Sequence, residues 1–88
     1  LMKRRKYPQL IRATILINVK TDFISRVAKE IRRILPEAVS IEETLGEYDL
    51  IVQISASSFY HVDMYVDLIR EIDGVEKTTT VIATKKWK

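Results

Sequence analysis

Six stretches of alternating kind follow one another along this chain, and their order is what most narrows its fold. In four of them apolar residues recur at every second position, and in two they recur at three- and four-residue spacing. Leu10–Lys20 sets Ala13, Ile15, Ile17 and Val19 on one side and Thr14, Leu16 and Asn18 on the other, as a strand does. Thr21 and Asp22 are both competent N-caps. Beyond them Ile24, Val27, Ala28, Ile31, Ile34 and Leu35 mark the inner side of a helix that Pro36 ends, with Arg26, Lys29, Glu30, Arg32 and Arg33 mainly on its other side. Val39–Thr44 alternates Val39 and Ile41 with Ser40 and Glu42, a strand with one wet side. Gly46 and Glu47 mark a tight turn into a third strand, Asp49–Ser55, which opposes Leu50, Val52 and Ile54 to Ile51, Gln53 and Ser55. Ser57 or Ser58 caps a second helix, Phe59–Ile72, whose inner residues are Val62, Tyr65, Val66, Ile69 and Ile72. Asp73 and Gly74 stop it, with Gly74 as a left-handed cap, and Val75–Thr84 is a last strand rich in Thr and Val.

The order β-α-β-β-α-β predicts an α+β, ferredoxin-like sandwich: a four-stranded antiparallel sheet with both helices on one face. Right-handed crossovers put the first and third strands in the middle, which are also the ones with the long apolar runs. At 88 residues the chain holds one domain, whose core supplies only about 3–5 kcal/mol, and domains of this size often add oligomerisation. The strand faces turned away from the helices are expected to carry Leu16, Ile51 and Ile82 beside Thr14, Gln53, Thr78 and Thr80. Such a face is too apolar for an isolated sheet in water and too polar for a sealed core, so two sheets are expected to meet face to face in a dimer.

Charge argues against a nucleic-acid surface. Lys3, Arg4, Arg5 and Lys6 crowd one end and Lys85, Lys86 and Lys88 the other, so residues 7–84 hold eight basic against twelve acidic groups, a net of −4, although the whole chain is +3. Residues 1–9 read as a basic tail, and a terminal Lys/Arg run gives only salt-sensitive, non-specific affinity, so no direct specific DNA binding is expected. Base stacking on the two central strands is excluded as well, because Leu10–Lys20 and Asp49–Ser55 contain no Phe, Tyr or Trp. Trp87, between lysines, reads as a terminal residue without a stacking role.

Catalysis finds no support either. His61 is the sole histidine and lacks companions at metal-ligand spacing, so it reads as a partly exposed residue at a helix start. Glu42 and Glu43 point to opposite faces of a strand, and Glu47 and Asp49 flank a turn without a nucleophile, an oxyanion hole or a phosphate loop. Cysteine is absent, which removes disulfides and thiolate–metal sites. No apolar run approaches the roughly 20 residues of a membrane span, and no signal peptide is expected ahead of the fold. The reading is therefore a cytoplasmic non-enzyme with no metal and no cofactor. Its polar loops, Gly46–Asp49, Ser55–Ser58 and Thr78–Thr80, are turns and edge residues in the first instance. They also suit a small zwitterion, whose ammonium would meet Asp49 or Glu47 while backbone N–H groups and threonine hydroxyls hold its carboxylate.

Leu45-Gly46-Glu47-Tyr48-Asp49, then a strand, a helix and Gly74-Val75-Glu76-Lys77-Thr78-Thr79-Thr80, resembles the effector domain of the Lrp/AsnC transcription regulators. That family's signature runs Thr-Gly-x-Tyr-Asp, then a helix, then Gly-Val-x-x-Thr-x-Thr. The resemblance covers roughly Ala13–Thr84, and both glycines of the chain fall on motif positions. Leu45 stands where the family usually has Thr, and Asp22 where a glycine commonly precedes the first helix. The resemblance implies a domain, residues 10–88, that dimerises through its sheet and assembles into ring-like, octamer-like oligomers of dimers, with an amino-acid effector bound between dimers. Carried over, Gly46, Tyr48 and Asp49 match the turn and Thr78 and Thr80 the later motif, while Ser57 matches only by its place after the third strand. The family usually adds an N-terminal helix-turn-helix domain, for which residues 1–9 are too short. The expectation is a stand-alone effector domain acting on the transcription of amino-acid metabolism genes, or a fragment beginning after the DNA-binding part, with a full-length relative as a further partner. A ligand-free assembly module and an ACT-type small-molecule sensor, which pairs sheets side by side, are the alternatives.

Overall fold

The computed structural model describes residues 10–87, so the basic tail read over residues 1–9 lies outside the described residues. In β1 (Ile11–Val19) the alternation is strict: Ala13, Ile15, Ile17 and Val19 are buried, while Thr14, Leu16 and Asn18 are half-exposed. The chain then passes through one 3-10 turn, Thr21–Phe23, into α1 (Ile24–Ile34). Neither Thr21 nor Asp22 caps α1 through its side chain. The Phe23 N–H bonds to the Lys20 carbonyl at 2.8 Å, and Phe23 itself becomes the N-cap residue. The tighter turn supplies from the backbone what an Asp or Thr cap would have given.

The second strand, β2 (Ser40–Glu43), is shorter than its alternation suggested, and Val39 stays outside it with an exposed side chain. β3 (Leu50–Ala56), α2 (Phe59–Arg70) and β4 (Val75–Ile82) complete the order, with α2 ending two residues before Ile72. Ser58 is the N-cap of α2, accepting from the His61 N–H at 3.2 Å. Gly74, at φ +103°, carries the chain from α2 into β4.

All pairings are antiparallel and the strand order is β2-β3-β1-β4, which confirms the two apolar strands as the centre. One face of the sheet packs on both helices: Val27, Ile31 and Leu35 from the first helical region and Val62, Val66 and Ile69 from α2 join Ile15, Ile17, Leu50 and Val52 in a single core. No polar side chain is buried among the described residues, so apolar burial carries the stability of this layer. None of the helices among the described residues is long and apolar enough to cross a membrane.

The last strand corrects the expected outer face. Thr78, Thr80 and Ile82 pair with Ile17, Ile15 and Ala13, residues of the helix-side layer, so they belong to that face and not to the outer one. The cause is a bulge. Val75 pairs with Val19, but Lys77 already pairs with Asn18, so Glu76 is an extra residue that reverses the parity of everything after it. Ile82 accordingly packs against the core, and Val81 takes the outer place expected for it. The outer face centres on Leu16, Ile51 and Val81 among Thr14, Gln53 and Thr79, with Arg12, Asn18, Ser40, Glu42, Ser55 and Lys77 toward its margins. Its apolar character survives the correction: Leu16 and Ile51 are half-exposed and Val81 is 51% exposed.

Candidate functional site

The β2–β3 connection is the most elaborately tied turn of the chain. Gly46 has φ +123°, a value that a β-carbon disfavours, and nothing lies within 4 Å of where that carbon would stand. Glycine is needed there for its backbone conformation alone. Around it the Thr44 N–H donates to the Asp49 carbonyl at 3.0 Å, and the Thr44 hydroxyl donates to the Tyr48 carbonyl at 2.7 Å.

Three further bonds fasten this turn to the end of β1. The Asp49 N–H donates to the Ile17 carbonyl at 2.9 Å, Asn18 Nδ2 donates to the Glu47 carbonyl at 2.7 Å, and the Val19 N–H donates to Asp49 Oδ2 at 2.7 Å. In the last of these, a carboxylate oxygen occupies the place that a strand carbonyl would take had β3 started earlier. Asp49 thus satisfies a donor on a buried residue, since Val19 is 4% exposed, and a charge-assisted bond of this kind is stronger than a neutral one. Its Oδ1 remains for other work. The Gly-x-Tyr-Asp segment is a hydrogen-bonded loop with a partly used carboxylate, and Leu45 at its tip is fully exposed.

The other expected site residues lie at varied distances from this turn. Thr78 shares a row with Ile17 and Leu50, hence about 10 Å across the sheet from the start of β3. Its hydroxyl accepts from Arg70 Nε at 2.9 Å on the helix side. Thr80 lies one inward-facing pair further along β4 and is exposed. Ser57 follows β3, so it stands at the far end of the sheet, about 20 Å from the turn along that strand. Within one chain the fold brings Gly46, Tyr48, Asp49 and Thr78 to one end, places Thr80 midway, and leaves Ser57 apart.

Sequence reasoning missed the parts that hold these residues. Asn18 and Val19 latch the turn, yet Asn18 read only as a wet-side strand residue; an amide near a strand end, opposite a Gly-containing turn, is the available signal. His61 is more engaged than its reading allowed. Its Nδ1 stands 2.8 Å from the Ser58 hydroxyl and 3.2 Å from that of Ser57, so both serines and the imidazole form one cluster at the start of α2. Among the described residues there is no group of three or more His, Asp or Glu side chains able to hold a metal ion.

A model of the Lrp/AsnC ligand binding domain matches residues 12–88, nearly the entire chain. The chain belongs to the Lrp/AsnC family. Among its relatives, the HTH-type transcriptional regulator FL11 of Pyrococcus horikoshii is 40% identical over 76 residues, which are 86% of this chain and 50% of the regulator. The chain therefore spans about half the length of the curated relatives it matches. In architecture this Lrp/AsnC domain is similar to TTHA0845 from Thermus thermophilus, with a TM-score of 0.81 and 25% identity over 89% of this chain and 98% of that one. The transcriptional regulator NMB0573 of Neisseria meningitidis, solved as a complex with L-Met, shares the fold at a TM-score of 0.76 and 20% identity, over 97% of this chain and 62% of that one. These findings establish the Lrp/AsnC domain type and its β-α-β-β-α-β sandwich.

Proposed function

We propose that this domain is an amino-acid-binding and oligomerisation module whose output is transcriptional regulation of amino-acid metabolism, not catalysis. The observation that carries the reading is the outer sheet face, where Leu16, Ile51 and Val81 remain open to solvent beside a rigid, hydrogen-bonded turn. Stacking two such faces buries what one chain cannot, and gives a homodimer. Further association of dimers, in a ring, then brings the turn of one copy near the far sheet end of another. A single ligand can meet all of Gly46, Tyr48, Asp49, Thr78, Thr80 and Ser57 only if Ser57 comes from a neighbouring copy, because one chain holds it too far away. A zwitterion fits the turn chemically: Asp49 Oδ1 receives its ammonium, and hydroxyls and backbone N–H groups receive its carboxylate. The L-Met bound to the Neisseria regulator supports this ligand class. By binding between copies the amino acid favours one assembly state, in proportion to its differential affinity for the two. A full-length relative of the family, acting in the cytoplasm, would carry that state to DNA through its own DNA-binding part.

Native mass spectrometry with and without a pool of the twenty amino acids, paired with calorimetry on each, tests the proposal. An amino acid that binds and shifts the distribution of oligomers is the expected result. Unchanged assemblies and silent titrations for all twenty would overturn ligand sensing. They would leave a ligand-free assembly module, which fully exposed Leu45 at the turn tip, where the family usually has a hydroxyl, specifically favours. A dimer paired through its sheet edges would instead point to an ACT-type arrangement.

A further inference from the structure

Helix α2 keeps an apolar stripe out of the core. Tyr60, Met64 and Leu68 follow one another at four-residue spacing and are 73%, 38% and 40% exposed. Alongside them run Asp63, Asp67 and Glu71, at the same spacing, and the six side chains line a shallow hollow of about 220 Å³. Of these carboxylates only Asp67 makes an ion pair among the described residues, stretched to 4.0 Å with Arg70, while Arg26 borders the adjoining hollow with Glu71. An apolar strip flanked by unneutralised acids calls for an occupant that brings both a large apolar group and positive charge.

The chain carries such a segment. Past Ile82 the backbone makes one more bond, from the Ala83 N–H to the Arg12 carbonyl at 3.1 Å, and then leaves the sheet. There Lys85, Lys86 and Trp87 are exposed, with Trp87 at 78%, and the Lys85 ammonium sits 4.4 Å over the indole ring. We infer that the Lys-Lys-Trp arm of one copy docks on the acidic, apolar face of α2 of a second copy. The indole lies over Met64 and Leu68, and the lysines face Asp63, Asp67 and Glu71. Tryptophan is the residue type that most often anchors such contacts, and here it is framed by charges of the sign the surface lacks.

Two arguments select a second copy over other occupants. The arm does not fold back on its own α2: Ala83 to Trp87 spans at most about 14 Å fully extended, and Trp87 stays 78% exposed within its own chain. A helix with its side chains is itself about 10–12 Å thick and stands between β4 and its own outer stripe. Direct pairing of two α2 helices is disfavoured because it would set the acidic rows of both against each other. The docking surface lies on the opposite layer from the outer sheet face, so this contact does not depend on the sheet-mediated dimer or on any amino-acid ligand.

Trp87 is the sole tryptophan, so its fluorescence reports on the arm alone. With rising protein concentration at low salt, the emission maximum is expected to move to shorter wavelength and to return on addition of salt. In a variant combining Asp63→Asn, Asp67→Asn and Glu71→Gln the move should require about tenfold or more protein. Emission of a solvated indole at every concentration overturns the inference, as does a shift that ignores concentration, salt or the triple substitution. Should the triple variant fail to fold, the absence of cysteine allows a spin label at Thr84→Cys, which keeps both lysines and Trp87, mixed with isotope-labelled unmodified chain. Broadening confined to amides 60–71 of the labelled copy supports docking between copies, and undisturbed amides there refute it.

Discussion

Two glycines with similar backbone angles answer to different constraints. At Gly46 a β-carbon would meet open space, so the only cost of a side chain is the unfavourable φ of +123°. At Gly74 the same atom would come within 2.7 Å of Phe23 Cβ, and a β-carbon is not a flexible tip that can swing aside. Gly46→Ala is expected to lower stability by about 1–2 kcal/mol and Gly74→Ala by clearly more, about 3 kcal/mol or above, in urea unfolding. Equal losses at the two positions would show that φ alone governs both. Asp49 has a comparable double aspect, because the residue read as a ligand group also satisfies the Val19 N–H. Asp49→Ala should cost about 1–3 kcal/mol by leaving that buried donor unpaired, while Asp49→Asn, which keeps an acceptor, should cost less. If both variants abolish effector binding but only the first lowers the unfolding midpoint, the two roles of the carboxylate are separated.

The helices differ in how they are held at their ends and along their surfaces. Ser58 caps α2 with its side chain, so Ser58→Ala should remove about 1 kcal/mol of stability, readable by thermal or chemical unfolding. On α1, Arg33 pairs with Glu30, with Arg33 Nε 3.0 Å from Glu30 Oε1, and this bond holds the Glu30 carboxyl below its ordinary range while raising the Arg33 guanidinium. A carboxylate with a lowered folded-state pKa contributes stability that is present above its unfolded value and lost as pH falls through the folded one. The pair lies in solvent, so its contribution to folding is small and salt-sensitive, and the titration itself is the better readout. In Arg33→Gln the Glu30 carboxyl resonance should titrate at higher pH than in the parent chain. An unmoved midpoint would show that the contact is not populated in solution.

Legibility in the sequence followed the physics of each element. Strict alternation in β1 and β3 gave their faces correctly, because each has one apolar parity over its whole length and no irregularity. In β4 the apolar residues occupy both parities, Val75 and Val81 on one and Ile82 on the other, and only the pairing with β1 decides between them. A bulge leaves no mark in hydropathy. The start of α1 agrees with its periodicity, but its cap does not, because a 3-10 turn meets the need that Thr21 or Asp22 is competent to meet. At the candidate site, the motif glycine and the turn were legible from residue type, whereas the latch from Asn18 and Val19 joins residues about thirty positions apart and depends on the sheet being assembled.

For the whole molecule, one helix layer and one bare sheet face make the domain two-sided. Helix packing seals one side with fifteen buried apolar residues, and the other is left with Leu16, Ile51 and Val81. Leu16→Glu lies on the bare side and leaves the core untouched, so it should dissociate the proposed dimer while preserving the far-ultraviolet circular dichroism of the fold. Light scattering that still reports a dimer for this variant would remove the sheet-to-sheet interface. In the proposed dimer such a face works at two tasks: its threonines and Gln53 meet water in the single chain, and its aliphatic residues meet their counterparts in the pair.

The bulge at Glu76 governs which side of the last strand is which. Were Glu76 drawn into the ladder opposite Asn18, β4 would turn inside out, with Thr79 and Val81 driven into the interior and Thr78, Thr80 and Ile82 turned outward, whereas deleting Glu76 would remove the bulge and leave every later pairing in place. Thr78 and Val81 are thus phased to opposite sides by one spacer, and a lineage that ironed out the bulge without losing a residue would have to rebuild both sides at once.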